Sequence, residues 1–209
     1  MARELLPLFP LNAVLFPRAS MPLHIFEKRY KLMIGEAVRD DSEFGIVLAS
    51  DRGLVNAGCS ALVSKVMKQY DDGRMDILAA GRRRFEIYLL NEEREYLRGA
   101  VEFFDDDDAA VPAEHAHFEQ ALRGYFACRN LDDASPLPEP DLNDPQLSFQ
   151  LAQAVPDLEL RQALLTMRSE AERLKHLAQF FPGYLSKTKQ LSHLRKIVPS
   201  NGHGKLDVT

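Results

Sequence analysis

The spacing of apolar residues differs between the two halves of this chain, and this difference limits the fold more than any other feature. Before the acidic run Asp105–Asp108, apolar residues form short runs or alternate with polar ones, as strands do. After it they recur at helical spacing, as in Leu174, Leu177 and Phe181. The sequence therefore predicts an α+β protein in which strands come first and helices follow.

The first half contains signals for strands and for one helix. Phe44–Ala49 is an apolar run bounded by charge, and Asp72–Gly73 between two apolar-rich segments indicates a β-hairpin. Apolar residues at helical spacing predict a helix over Glu27–Arg39. Strands should therefore dominate up to about Phe104, with this single helix among them.

The segment RFEIYLL, residues 84–90, alternates between apolar and polar residues. A strand with this pattern places Phe85, Ile87 and Leu89 on its apolar face and Arg84 on its polar face. The acidic run that follows, Asp105–Asp108, is typical of a solvated linker. We therefore expect Arg84 and the acidic run to face water.

Cap signals mark the helices of the second half. Pro112 suits a first helical position, and Asp144 precedes another proline that suits one. Asp157 can cap a short helix, while Ser169 and Glu172 fit a capping box. These signals predict that the chain from Pro112 to Phe181 is almost wholly helical.

The segment LPLFPLNAVLFP, residues 6–17, combines an apolar composition with three prolines. Proline cannot donate a ladder hydrogen bond and breaks helices, so neither a regular central strand nor a helix fits this segment. A sheet that curls needs an entry strand with bulges and unpaired edges, where proline is tolerated.

This opening, continued by MPLHIFEKRY, resembles the N-terminal substrate-binding domain family of Lon proteases, especially its stand-alone bacterial members. The segments DDGRMDILAAGRRRFEI and LSFQLAQAVPDLELRQALLTMRSEAERLKHLAQFF resemble the hairpin and the helical part of that family, so the resemblance covers about Leu5–Phe181. It implies a PUA-like β pseudo-barrel followed by a helical bundle. We expect a β-rich part over residues 1–108, helices over 109–185 and a basic helix or tail over 186–209.

Enzyme chemistry finds little support in the sequence. The chain lacks the G-x-x-x-x-G-K-[ST] phosphate loop that the ATPase of a full Lon protease requires. Ser186–Lys189 matches S-x-x-K, but the S-D-N and K-T-G motifs that accompany it in penicillin-recognising enzymes are absent. His115 and His117 lie two apart, which would place them on different sides of a helix. We therefore predict no catalytic residue, no metal ligand and no cofactor.

Charge and cysteine content limit the location and the partners. Cys59 and Cys128 are too few for a disulfide framework, and no apolar run approaches membrane-spanning length. Eleven acidic residues against two basic ones between Asp105 and Asp144 disfavour general nucleic-acid binding. We expect a cytoplasmic protein with reduced thiols and no membrane contact.

Three residues are candidates for binding. Arg82 and Arg83 stand together beside Arg84, and arginine forks suit carboxylates and phosphates, although a solvated strand face also explains them. His24 would point away from Leu23 and Ile25 in an extended segment, towards a groove or towards solvent.

The function predicted from the sequence is non-catalytic binding of unfolded or extended protein segments. The expected site is a groove on the β-domain or at its junction with the helices. A separate protease or chaperone stays open as a further partner. The alternative is RNA or nucleotide binding, which Arg82, Arg83 and the basic C-terminal residues favour and the acidic balance disfavours.

Overall fold

The computed structural model describes residues 5–51, 53–107, 113–131 and 137–197, with side chains described as far as Leu191. The strands are β1 (Leu6–Leu11), β2 (Ser20–Ile25), β3 (Phe44–Ser50), β4 (Gly53–Gln69), β5 (Met75–Asn91) and β6 (Arg98–Phe104). The helices are α1 (Lys28–Asp40), α2 (His115–Arg129), α3 (Leu147–Leu151), α4 (Leu158–Thr166) and α5 (Glu170–Ile197), with a 3-10 turn over Ala152–Ala154. Strands precede helices as predicted, which confirms the α+β class.

The six strands form one sheet in the order β2-β5-β4-β3-β1-β6. Because β6 also pairs with β5, five of the strands close into a pseudo-barrel, and β2 lies outside it against the first half of β5. β1 and β3 are parallel, whereas the other pairs are antiparallel. The first six residues of the proline-rich opening form β1, which lies between β3 and β6, so the expectation that no central strand fits this segment is wrong. Pro7 is paired with β6 and Pro10 with β3.

A small apolar cluster of Leu8, Val47 and Phe85 fills the barrel. The ring of Phe85 fits there because β3 carries a glycine opposite it. A Cβ atom added at Gly45 would lie 2.6 Å from Cζ of Phe85, closer than real contacts allow. The barrel is therefore narrow, and glycine provides the room for its one large ring.

The main core lies outside the barrel and is shared by strands and helices. α1 packs into it through residues such as Tyr30, whose ring centroid lies 4.2 Å from that of Phe9 on β1. The same cluster continues through Phe149 to Phe181 on α5. One continuous core thus connects the parts of the chain, and the division into residues 1–108, 109–185 and 186–209 stays a prediction.

Helix boundaries follow the cap signals with one shift. The side chain of Asp157 accepts hydrogen bonds from the backbone of Glu159 and Leu160, and thereby caps α4 as predicted. Asp144 instead caps a turn before α3, accepting from the backbone of Gln146, so that helix begins two residues later than the signal indicates. In the described residues from 147 to 181 every regular element is helical, as predicted, while Pro112 lies outside the described residues.

A buried network of ion pairs connects the barrel to the helices. Arg84 on β5 and Arg173 on α5 both donate to Oδ1 of Asp106, at 2.7 Å and 2.6 Å. Arg84 also donates to the carbonyl of Met167 at 2.6 Å, and Arg173 to Glu170 at 2.8 Å. We call this set the Arg84–Asp106–Arg173 network.

Two expectations about this region are wrong. Arg84 is buried rather than solvated, because the helices cover the face of β5 on which it lies. Within the acidic run, Asp106 belongs to the network, whereas Asp105 and Asp107 are exposed as expected. The predicted apolar face also fails at Leu89, which is 60% exposed because the register of β5 shifts between Ile87 and Leu89.

Candidate functional site

Strand β2 presents one edge without a strand partner. In the described sheet it pairs with β5 alone, through positions from Ser20 to Ile25. Pro22 lies in the middle of β2, as expected for an edge strand, because proline has no N–H to donate. The free edge of β2 can therefore accept an additional extended chain.

An apolar cleft lies beside β2, where the strands meet the helices. We call it the junction cleft. Its cavity volume is about 640 Å³, within the range of small-molecule and side-chain pockets. The lining residues come from the β1–β2 connection, β2, the end of α2 and the segment after it, the segment before α4, α4 itself and α5: Ala13, Val14, Met21, Cys128, Arg129, Leu131, Leu137, Gln153, Ala154, Val155, Pro156, Leu158, Arg161, Tyr184 and Thr188. Because Met21 belongs to both features, the cleft and the β2 edge adjoin.

Arg161 on α4 provides a cationic group in this mostly apolar lining. Its Nη2 donates to the carbonyl of Val14 at 2.9 Å and its Nη1 to that of Val155 at 3.3 Å. Its guanidinium also lies 4.9 Å from the ring centroid of Phe16. Burial lowers the pKa of Arg161, yet a guanidinium remains charged at neutral pH. The ion pairs found among the described residues include none for Arg161.

A second cleft of about 550 Å³ lies on the other side of α4. It is lined by residues of β3, β4 and α4, including Leu54, Leu158 and Gln162. Gln162 donates to the carbonyl of Ala57 at 3.1 Å and fixes α4 to β4. Leu158 lines both clefts, so α4 forms the wall between them.

His24 lies on β2 with an exposed side chain. Its Nδ1 is 2.5 Å from Oδ1 of Asp76, and the hydroxyl of Tyr70 donates to Oδ2 of the same carboxylate at 2.8 Å. These hydrogen bonds, that of His24 first, lower the pKa of Asp76. Phe26, 60% exposed, stacks on the imidazole with the ring centroids 5.9 Å apart.

Arg82 and Arg83 line a small notch of about 260 Å³ together with Arg18, Glu43 and Gly81. The guanidinium of Arg83 lies 3.7 Å from the ring centroid of Phe103 and, through Nη2, 3.9 Å from Oε2 of Glu43. Arg18 is paired with a carboxylate of the helical part. Much of the positive charge of the notch is thus already balanced.

The structure does not bring the three sequence candidates into one site. His24 pairs with Asp76, six residues before Arg82 on β5, which corresponds to about 20 Å along the strand. The candidates therefore flank the two ends of β2: His24 lies near its last residue, and Arg82 and Arg83 lie beyond its first residue. Met21 lies on β2 between these two ends, and Arg161 lies in the junction cleft. Neither residue carried a signal in the sequence.

Other candidate chemistry remains unassembled in the described residues. Ser186 is exposed on α5, His115 contacts Glu119 of its own helix, and His117 contacts Glu114 at the N-cap of that helix. In the part of the chain that the structure describes, no group of three potential metal ligands occurs. Likewise, none of the helices described combines the length and apolar character needed to cross a membrane.

Comparison with known proteins places this arrangement in a family. Residues 5–181 match the family model of the ATP-dependent protease La (LON) substrate-binding domain. The chain belongs to this family. Membership confirms the resemblance on the opening, hairpin and helical segments.

Individual relatives are Lon proteases matched over part of their length. The Lon protease of Anaeromyxobacter dehalogenans (strain 2CP-C) is 32% identical over 131 residues, which is 56% of this chain and 15% of that protein. Lon protease 2 of Myxococcus xanthus is 30% identical over 120 residues, covering 53% and 14%. The similarity therefore spans about a seventh of each of these proteases.

Solved structures share the fold. The crystal structure of a Lon N-terminal domain protein from Xanthomonas campestris matches with a TM-score of 0.67 and 25% identity, over 86% of this chain and 99% of that one. The N-terminal domain of Mycobacterium avium complex Lon protease matches with a TM-score of 0.58 over 86% and 98%, and at 13% identity shows the fold alone. The Lon N-terminal domain fold confirms the predicted PUA-like pseudo-barrel with helices.

Proposed function

We propose that this chain is a cytoplasmic, non-catalytic module that binds extended segments of other proteins. The observation that carries the proposal is the position of the free β2 edge directly beside the apolar junction cleft, with Met21 common to both. Membership in a family described as a substrate-binding domain supports the same conclusion.

An extended client segment would pair with β2 through main-chain hydrogen bonds and place an apolar side chain in the junction cleft. His24 would flank the segment at one end of β2, and Arg82 and Arg83 at the other. One short segment loses conformational freedom on binding, so the affinity of a single contact is weak. This weakness suits a module that engages many clients and releases them.

Fluorescence polarisation with labelled peptides tests the proposal. Peptides from an unfolded model client should bind, whereas the same client in its folded form should not. N-methylation of alternate backbone amides in the peptide should abolish binding, because it removes the main-chain donors. Met21→Lys should weaken binding about tenfold by introducing a charge into the apolar cleft. Val66→Lys, a matched change at an exposed position of β4, should leave binding unchanged.

RNA binding is the second candidate, favoured by the notch of Arg18, Arg82 and Arg83. The pairing of Arg18 with Asp144 and the closeness of Glu43 to Arg83 weigh against it. Steep loss of affinity with salt and preference for RNA over unfolded protein would decide for this candidate. Replacing Arg82 and Arg83 by alanine should abolish binding if the ligand is RNA. If the ligand is an extended protein segment, the same change should reduce binding only slightly.

A further inference from the structure

We propose that the junction cleft binds the C-terminal end of a polypeptide, with Arg161 holding the free α-carboxylate and the cleft walls holding the last side chain. The inference rests on the proposed function, since it requires that the cleft bind polypeptide. It adds the part of the client that is recognised and the residue that recognises it.

The charge balance around Arg161 differs from that around the other buried arginines. Arg84 and Arg173 share the carboxylate of Asp106, so their charges are compensated inside the protein. Arg161 donates only to carbonyls, those of Val14, Gln153 and Val155, within the residues that the structure describes. A carbonyl carries no net charge, and the guanidinium therefore still attracts an anion.

The hydrogen bonds of Arg161 leave donor capacity for a ligand. A guanidinium carries five N–H groups in a planar fork that matches a carboxylate. The contacts to Val14, Gln153 and Val155 use Nη1 and Nη2, and none found in the described chain uses Nε. These carbonyl contacts and the ring of Phe16 also fix the orientation of the guanidinium.

The rest of the cleft fits an apolar side chain beside that carboxylate. Among the described residues that line it none is acidic, and the other cation, Arg129, is paired with Glu139. Met21, Val155 and Leu158 supply apolar walls close to Arg161. The lining thus combines one uncompensated positive charge with apolar surface.

A chain terminus satisfies this combination better than an internal acidic residue. The last residue carries its side chain and its carboxylate on one Cα atom, so both can enter while a single chain leaves along β2. An internal aspartate or glutamate would require two chain segments to leave the cleft. Nucleic acid fits poorly, because binding of a strand draws on several phosphates and the described lining of the cleft offers one uncompensated arginine.

The test compares two forms of one labelled hexapeptide that ends in leucine, one with a free C-terminal carboxylate and one with a C-terminal amide. The free acid should bind the full chain at least about tenfold more tightly, as expected for hydrogen bonds to a charged group. A third peptide, amidated and with glutamate in its middle, should bind like the plain amide. Equal binding of acid and amide, or of acid and internal glutamate, would overturn the inference.

Variants assign the effect to Arg161. Arg161→Gln should lower the affinity for the acid to that for the amide and leave the amide unaffected, whereas Arg161→Lys should keep part of the preference. Arg123→Gln removes an exposed arginine of α2 and should keep the full preference. Thermal melting by circular dichroism verifies folding of each variant. If folded Arg161→Gln still preferred the free acid over the amide, the assignment to Arg161 would be overturned. If none of the three peptides bound the wild-type chain, the proposed function itself would be overturned.

Discussion

Replacement of Asp106 by asparagine removes the carboxylate that two buried arginines share, with almost no change in side-chain shape. The side chains of Arg84 and Arg173 are 1% and 0% exposed. In the variant Arg84 loses its carboxylate hydrogen-bond partner and keeps the carbonyls of Leu165 and Met167, while Arg173 keeps its carboxylate partner on α5. The variant therefore leaves the buried charge of Arg84 without a hydrogen-bonded counter-charge.

The expected loss of unfolding free energy follows from this change. Removal of one member of a buried ion pair costs about 3–5 kcal/mol. Because the Asp106 side chain is 21% exposed and Arg173 retains a carboxylate, we expect about 3 kcal/mol, the lower end of that range. For a chain of this size that corresponds to a decrease of about 6–12 °C in Tm.

Urea unfolding followed by circular dichroism at pH 7 measures the effect. Asp107→Asn, which removes the same charge at an exposed neighbouring position, is the matched control and should change stability by less than about 0.5 kcal/mol. An Asp106→Asn loss no greater than that of the control would refute the role assigned to the network.

The difference in unfolding free energy between the wild type and Asp106→Asn should become smaller in acid. Burial alone would raise the pKa of Asp106, but the hydrogen bonds and charges of Arg173 and Arg84 outweigh it and hold the pKa below its usual value. A carboxyl whose pKa is lower in the folded state stabilises fully above its unfolded pKa of about 4. The advantage of the wild type over Asp106→Asn should therefore be constant near neutral pH and decline as the pH falls below about 4.

Three further predictions concern the barrel, the thiols and catalysis. Gly45→Ala should lower the free energy of unfolding by about 1–3 kcal/mol, because its Cβ meets Phe85, and the double variant with Phe85→Leu should lose less than the two single changes summed. Gly35→Ala, with open space on α1, should stabilise the protein. Equal effects of the two alanines in urea unfolding would contradict this. Burial raises the pKa of Cys59 to about 12 and that of Cys128 to about 11. A disulfide reagent at pH 8 should therefore label both thiols slowly until urea is added. Rapid labelling of the native protein would contradict this. Purified protein should show no ATP hydrolysis above background, since the sequence has no phosphate loop, and turnover abolished by a point mutation would disprove it.

Local signals were sufficient for much of the fold. The helix predicted over Glu27–Arg39 is observed over Lys28–Asp40, and Asp157 caps α4. The hairpin turn falls at Asp72–Gly73, where Gly73 has a φ of +82° that glycine adopts readily. In each case the residues that determine the structure lie within a few positions of one another. Such features can be predicted from one sequence.

Features that depend on distant parts of the chain could not be predicted in this way. Arg84 has the neighbours of an exposed strand residue, and only the docking of residues 165–167 buries it. Asp106 stands in a run of four acidic residues, and its difference from the exposed Asp105 and Asp107 comes from Arg173, 67 positions away. The candidate site shows the same limit, since Arg161 acquires its position from the carbonyl of Val14.

The bond between Arg161 and Val14 also bears on how the chain folds during synthesis. It joins positions 147 apart, and the shared core needs Phe181 as well as Phe9. A ribosome that adds about 5–20 residues per second leaves the strands without their helical cover for many seconds. During this time the nascent chain exposes the apolar surface that α4 and α5 later cover, and chaperones that shield such surface should raise its folding yield in the cell.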